Sequence, residues 1–238
     1  MSFLRTLIER FARNRIVWRK LENGLAIAVS PDSQLKYLGT EIDPDLARLA
    51  RDQVRPGAVV WDVGANCGSF IFSCDHAATR IAVEPDPFLA RLIERSSGRN
   101  GLAVTVVQRA VGAEAGEAEL VIARRGRASN HLAMVRGSTQ TGGARGTVRV
   151  TMTSLDALMA DYGPPDFIKI DVEGAELLAL QGGAAVLRHR PLIYIEVYAQ
   201  QADACRSLLL AAGYRIDEGT NWLATPVDQG GAPTGANP

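Results

Sequence analysis

Four short apolar runs each end in a carboxylate: Val59-Val60-Trp61-Asp62, Ile81-Ala82-Val83-Glu84, Phe167-Ile168-Lys169-Ile170-Asp171 and Leu192-Ile193-Tyr194-Ile195-Glu196. Carboxylates accept hydrogen bonds from hydroxyl and ammonium groups, take protons and bind hard cations. The first of them opens a glycine-rich turn, Asp62-Val63-Gly64-Ala65-Asn66-Cys67-Gly68. Gly64 can take backbone angles closed to other residues and lets the chain approach a ligand. A helix beginning near Cys67 would point free N–H groups at the same place, favouring a carboxylate or phosphate. Glu84 follows Gly64 by twenty residues, the spacing at which an acid accepts the hydroxyls of a ribose.

The ligand class follows from what the turn lacks. A dinucleotide loop has the form G-x-G-x-x-G, and Asn66 stands where its middle glycine would be. Asp62 would sit poorly beside a pyrophosphate but suits a cofactor carrying an amino group. S-adenosylmethionine has that amino group, a carboxylate for the helix start and a ribose for Glu84, so the chemistry favours it over NAD.

Methyl transfer to an alcohol needs alignment at near-attack distance and removal of a proton, by a general base or with help from a metal. Asp171 and Glu196, at the ends of neighbouring strands, are the carboxylates best placed for that proton. His131, in Ser129-Asn130-His131-Leu132, is the histidine nearest the expected cleft and is a further candidate base. No further acid follows Glu196 directly, and Lys169 adds positive charge nearby, so catalysis is expected to need no metal. Lys169 itself must be paired or neutral inside a buried strand. Glu173 and Glu176 read as acids at the start of the next helix, where they favour the positive dipole end.

The elements that must position these groups form an α/β pattern. Nearly continuous apolar runs of strand length are buried strands of a parallel sheet, and ligands bind outside their carboxyl ends where strand order reverses. Helices are expected over 67–77, 87–96, 175–187 and 202–212, with a third strand at 104–107 and a closing hairpin through Tyr214–Ile216 and Trp222–Ala224. The rhythm breaks between 114 and 153, where Glu119–Ala123 and Thr147–Met152 suggest an inserted strand pair. That insert carries Arg124, Arg125, Arg127, Arg136, Arg145 and Arg149, with no acid between Glu119 and Asp156. Two readings stay open for it: a solvated loop, or a lid that attracts an anionic acceptor.

Residues 1–55 form an accessory segment. Leu4, Leu7, Ile8 and Phe11 follow helical spacing, and this helix is expected to pack on the main domain or serve a homo-oligomer contact. A hairpin is expected over 16–29 around Glu22-Asn23-Gly24, then a helix from Pro44 to Val54 with Asp43 as its N-cap. Residues 56–225 make the main domain, and the Gly- and Pro-rich stretch 226–238 reads as a disordered tail.

A chain of 238 residues, 47% hydrophobic and 22% charged, has room for one sizeable core and the make-up of an ordinary globular protein. Zero formal net charge gives no field favouring nucleic acid. Three cysteines without paired spacing argue against disulfides or a zinc site, and Cys67 and Cys74 read as small buried apolar groups. The absence of a transmembrane-length run or signal-peptide pattern leads to the expectation of a cytoplasmic protein.

Five motifs together carry a family resemblance: Asp62-Val63-Gly64-Ala65-Asn66-x-Gly68, Glu84-Pro85, Arg109-Ala110-Val111-Gly112, Thr153-Ser154-Leu155-Asp156 and the run Phe167 to Glu176. Over residues 55–200 the chain resembles the FkbM family of S-adenosylmethionine-dependent methyltransferases, typified by O-methylation of natural products and sugars. The resemblance implies a class I methyltransferase fold, a Rossmann-like doubly wound sheet whose last strand is antiparallel. It implies that Asp62, Gly64, Ala65, Asn66 and Gly68 surround the methionine end of the cofactor. Glu84, with Pro85 and Asp86 beside it, would hold the ribose, and Arg109 and Ala110 the adenine. It also implies a small-molecule acceptor. A lipid or nucleic-acid acceptor, and a non-catalytic cofactor-binding module, are the alternatives.

Overall fold

A computed structural model describes residues 14–39, 41–135 and 141–227. The first-segment helix, Arg136 and most of the 226–238 tail lie outside them. At the start is an antiparallel hairpin, β1 (Val17–Lys20) and β2 (Ala26–Val29), as the Asn23-Gly24 signal predicts. Helix α1 (Pro44–Gln53) follows. Asp43 precedes it without capping it: φ is 42° and the carboxylate pairs with Lys36 at 2.5 Å instead of taking a helix N–H.

The centre is a seven-stranded sheet in the order β12-β13-β11-β10-β3-β4-β5. Its members are β3 (Val59–Val63), β4 (Thr79–Val83), β5 (Thr105–Val107), β10 (Phe167–Ile170), β11 (Leu192–Ile195), β12 (Tyr214–Glu218) and β13 (Trp222–Pro226). Strands β11, β10, β3, β4 and β5 are mutually parallel, whereas β13 runs antiparallel to β11 and β12. Strand order reverses between β3 and β10, so the carboxyl ends of those two strands flank the crevice where ligands bind.

Alternating side chains divide the core between the two faces. Val60, Ala82 and Phe167 pack with the hairpin, α1, α2 (Ser69–Ser73) and α3 (Pro87–Asn100). Trp61, Ile81, Ile168 and Ile170 pack with α4 (Leu155–Tyr162), α5 (Glu176–Gln181), α6 (Ala184–His189) and α7 (Ala202–Ala211). The hairpin is tied into the first face by Ser96 and Asn100 of α3, which bond the backbone of Ala28 and Ala26. Cys67, Cys74 and Cys205 are free and buried.

Three elements differ from expectation. Helix α2 starts two residues late because Gly68, at φ 84°, lies in the left-handed region and cannot be its first turn. The helix expected over 175–187 breaks at Gly182-Gly183, where a Cβ on Gly182 would sit 2.4 Å from the Gly112 carbonyl oxygen. The inserted strand pair grows into a four-stranded sheet, β6-β9-β7-β8, of β6 (Ala110–Val111), β7 (Gly116–Ala123), β8 (His131–Leu132) and β9 (Ala144–Thr153). It covers a small core of its own, with Leu120, Ile122, Leu132 and Val150. No described helix is long and apolar enough to cross a membrane.

Candidate active site

The carboxyl ends of β3, β4, β10 and β11 open on a cavity of about 530 Å³. Its other walls come from Gln34, Lys36, Glu41 and residues 43–46, and from the four-stranded sheet, through Leu120, Arg127, Ala128, Asn130, His131 and Leu132. Gly64 turns the chain at the end of β3 with φ 81°, and its N–H bonds the Val83 carbonyl at 2.9 Å. A Cβ there would fall 1.8 Å from the Asp171 carbonyl oxygen, so only glycine lets β3 and β10 exit side by side. Asn66, at φ 53°, holds the left-handed conformation that the missing middle glycine would have taken. Its side-chain oxygen accepts a hydrogen bond from Ser33 at 2.6 Å.

Glu84 is buried at the end of β4. One oxygen accepts the Asn66 N–H and the other the Asp86 N–H, each at 2.8 Å. A carboxylate has roughly four acceptor positions, so capacity remains toward the cavity. Burial pushes this carboxyl up to about 8. Beside it the wall is Val83, Leu89, Arg109, Ala110 and Val111. Arg109 is half-exposed and pairs with Asp161 at 3.7 Å.

Across the switch point, Asp171 and Glu196 line the same cavity, and His131 reaches it from the four-stranded sheet. Lys169 lies between Asp62 and Asp171 at 3.3 Å from each. Burial works against its charge, but Asp171 and Asp62 outweigh it and keep the ammonium above its ordinary range. Glu196 is pushed up to about 7, by burial and then by the negative charge and hydrogen bond of Asp171. The His131 Nδ1 faces the Ser129 carbonyl at 3.2 Å. A carbonyl only accepts, so this contact selects the tautomer with the proton on Nδ1, in which Nε2 is the acceptor. Among the described residues, no group of three or more His, Cys, Asp or Glu side chains is arranged to hold a metal ion.

Not every expected residue reaches the cavity. Gly64, Asn66, Glu84, Pro85, Arg109, Ala110, His131, Asp171 and Glu196 line it. The Asp62 side chain turns inward to Lys169, Ala65 is buried, and a Cβ on Gly68 would meet the Phe72 ring at 3.1 Å. Asp86 caps α3 by accepting the Phe88 N–H at 2.8 Å and is covered by Arg127 and Asn130. These four positions build the turn and its supports.

The basic insert is also changed by its contacts. Arg127 binds Asp32 at 2.9 Å and Asp86 at 2.6 Å, and Arg145 grips Asp32 with two bonds at 2.8 and 3.0 Å. Two of the arginines expected to face an acceptor thus join the insert to residues 30–33 and to the β4 exit. Sequence reasoning missed Asp32 as the partner of these arginines and Gln34, Lys36, Glu41 and residues 43–46 as a wall, and took Glu173 for a helix start. The signal available was the polar run Gln34, Lys36, Glu41, Asp43 and Asp45.

The profile of the methyltransferase FkbM domain matches residues 62–216. The hexuronic acid methyltransferase AglP of Haloferax volcanii is 28% identical over 160 residues, 66% of this chain and 63% of that protein. The 31-O-demethyl-FK506 methyltransferase FkbM of Streptomyces tacrolimicus is 35% identical over 101 residues, 41% of this chain and 39% of that protein. This chain therefore spans less than two thirds of either relative. The crystal structure of a methyltransferase FkbM from Methylobacillus flagellatus KT superposes with a TM-score of 0.51 at 18% identity, covering 72% of this chain and 44% of that one. That likeness concerns the fold alone.

Proposed function

The chain belongs to the FkbM methyltransferase family, and from that premise we propose that it transfers a methyl group from S-adenosylmethionine to a hydroxyl oxygen of a small molecule. The class of acceptor, a sugar or natural product, is supported by two relatives named for a hexuronic acid and for FK506. The observation that carries the reading is one cavity lined both by Glu84, an acid suited to ribose hydroxyls, and by Asp171, Glu196 and His131, groups that can handle a proton.

The residues present fit the cofactor. Glu84 keeps acceptor capacity for ribose hydroxyls, Gly64 and Asn66 present backbone at the methionine end, and Val83, Leu89, Val111 and Ala110 offer an apolar wall for adenine. When bound, S-adenosylmethionine supplies an electrophilic methyl group on a sulfonium, so the protein's main task is alignment. Asp171 and Glu196 orient and polarise the acceptor hydroxyl. His131 receives its proton at Nε2, since Nδ1 is held by Ser129. Proton removal in this reading uses side chains alone.

The test is calorimetry with S-adenosylhomocysteine, followed by labelled methyl transfer to hydroxylated acceptors in excess EDTA. Binding of the cofactor product and EDTA-resistant transfer are expected. Tight binding of NAD without S-adenosylhomocysteine overturns the cofactor reading, and activity lost in EDTA and restored by Mg²⁺ overturns the metal-free one.

A further inference from the structure

The geometry points to Glu173 as an acceptor-binding residue: Tyr198 anchors one carboxyl oxygen, and the other takes a hydroxyl of an acceptor in the cavity. This deepens the reading above and rests on it. Glu173 lines the cavity just after β10. Its φ is 52°, a left-handed conformation that costs any residue with a Cβ and that glycine adopts freely. A turn requirement alone would be met better by glycine. A glutamate retained there points to a use for its side chain.

The loop does not depend on that side chain for its shape. Glu176 Oε1 accepts the N–H groups of Val172 at 3.2 Å and Gly174 at 3.0 Å. Gln201 donates to the Gly174 carbonyl at 2.6 Å and accepts the Leu177 N–H at 3.0 Å. Glu173 therefore adds nothing needed to close the turn. What it makes is one bond: the Tyr198 hydroxyl donates to Oε2 at 2.6 Å, and no described residue donates to Oε1.

The surroundings select the ligand's chemistry. Asp171, Glu176 and Glu196 are the charged groups nearest to Glu173, and all are acids. The nearby cation, Lys169, is taken up by Asp62 and Asp171. A carboxylate or phosphate on the acceptor would meet like charge there, whereas a hydroxyl donates to a carboxylate directly. The group recognised at Glu173 is thus an acceptor hydroxyl rather than an acidic group.

The test uses methyl α-D-glucopyranoside as probe, read by saturation-transfer NMR on the full chain saturated with S-adenosylhomocysteine. The wild type should bind it. Glu173→Gly should melt no lower than wild type and keep its affinity for S-adenosylhomocysteine. Its affinity for the pyranoside should fall by about two-fold to ten-fold, the range for one hydrogen bond. Glu173→Gln, which leaves the backbone demand unchanged, should lose affinity in the same direction. Tyr198→Phe should weaken the pyranoside by a smaller factor with no change toward S-adenosylhomocysteine, a split that a loop-stability role would not produce. Unchanged pyranoside affinity in Glu173→Gly, or no pyranoside binding by a wild type that binds S-adenosylhomocysteine, overturns the proposal. Failure of the wild type to bind S-adenosylhomocysteine instead removes the proposed function on which it rests.

Discussion

Acids at the sheet edge and the acid in the opposite wall are held in opposite ways. At the edge, Glu84, Glu173, Glu176 and Glu196 bond to backbone N–H groups, a tyrosine hydroxyl or another carboxyl. Burial pushes them up to about 8, 8, 7 and 7. In the wall, Asp32 is also buried, but Arg145 and Arg127 more than offset burial and hold its carboxyl below the usual range. The wall acid is neutralised by protein and acts as a fastening. Unlike Asp62 and Asp171, which share Lys169, these four edge acids lack a bonded cation, a costly arrangement that suits groups completed by a ligand. Rigid scaffold and binding chemistry coincide at the edge, and the wall is fastened to it through Ser33 on Asn66 and Arg127 on Asp86.

The largest effect should come from breaking the edge at its tightest contact. Gly64→Ala would place a Cβ 1.8 Å from the Asp171 carbonyl at a φ of 81°, costing about 3 kcal/mol or more. Urea denaturation should report that loss together with loss of S-adenosylhomocysteine binding. In the wall, Gly146 has nothing within 4 Å and no left-handed φ, so Gly146→Ala should stay within about 0.5 kcal/mol. Equal costs at the two glycines would erase the distinction between scaffold and attachment.

The next effect belongs to the wall's fastening. Arg127→Ala leaves Asp32 and Asp86 facing less positive charge in a largely buried site, with an expected loss of about 2–4 kcal/mol. Acceptor KM should rise, and S-adenosylhomocysteine affinity should hold within about three-fold, a change under 1 kcal/mol. A fall in cofactor affinity as large as that of a Glu84 variant would mean that edge and wall act as one unit.

These contacts mark what was legible in the sequence and what was not. The apolar runs announce the strands because both faces of the sheet are covered, and the Asn-Gly turn announces the first hairpin. Asn66 in place of a glycine was readable as an anomaly, but its φ of 53° and its bond to Ser33 belong to the folded chain. The break at Gly182-Gly183 follows from a close approach to Gly112, seventy residues earlier, which no local pattern encodes. Asp32, Asp86, Arg127 and Arg145 are charged residues in four different segments, and only tertiary structure makes them partners. Gln34, Lys36 and Glu41 lie ahead of the helix that Pro44 announces and follow no period, so their place in the wall left no mark beyond polarity.

On the cofactor side, Glu84→Ala should weaken S-adenosylhomocysteine binding by about 1.5–3 kcal/mol, the range for hydrogen bonds to a charged group. Calorimetry of Glu84→Ala beside Arg127→Ala separates the two regions directly. An unaffected Glu84→Ala would take the ribose away from β4.

The smallest effect tests the electrostatic contrast itself through pH. Glu176 is fully buried, gives one oxygen to the Val172 and Gly174 N–H groups, and has no partner for the other. Burial pushes it up to about 7 from an ordinary 4.5. A folded value above the unfolded one means that the native state binds the extra proton. The stability it contributes is full below 4.5 and is lost as pH rises through 7. Asp32 has the opposite sign, its contribution present above 3.8 and lost as pH falls below that. Glu176→Gln keeps the accepting oxygen and removes the charge. It should leave stability at pH 4.5 nearly unchanged and raise it at pH 8.5, where the wild type carries the cost of ionising a buried carboxyl. Urea denaturation at the two pH values reads the difference. A variant that loses stability equally at both would mean that Glu176 serves as an ordinary ionised helix-start acid, and the contrast between edge and wall would then rest on Glu84, Glu173 and Glu196 alone.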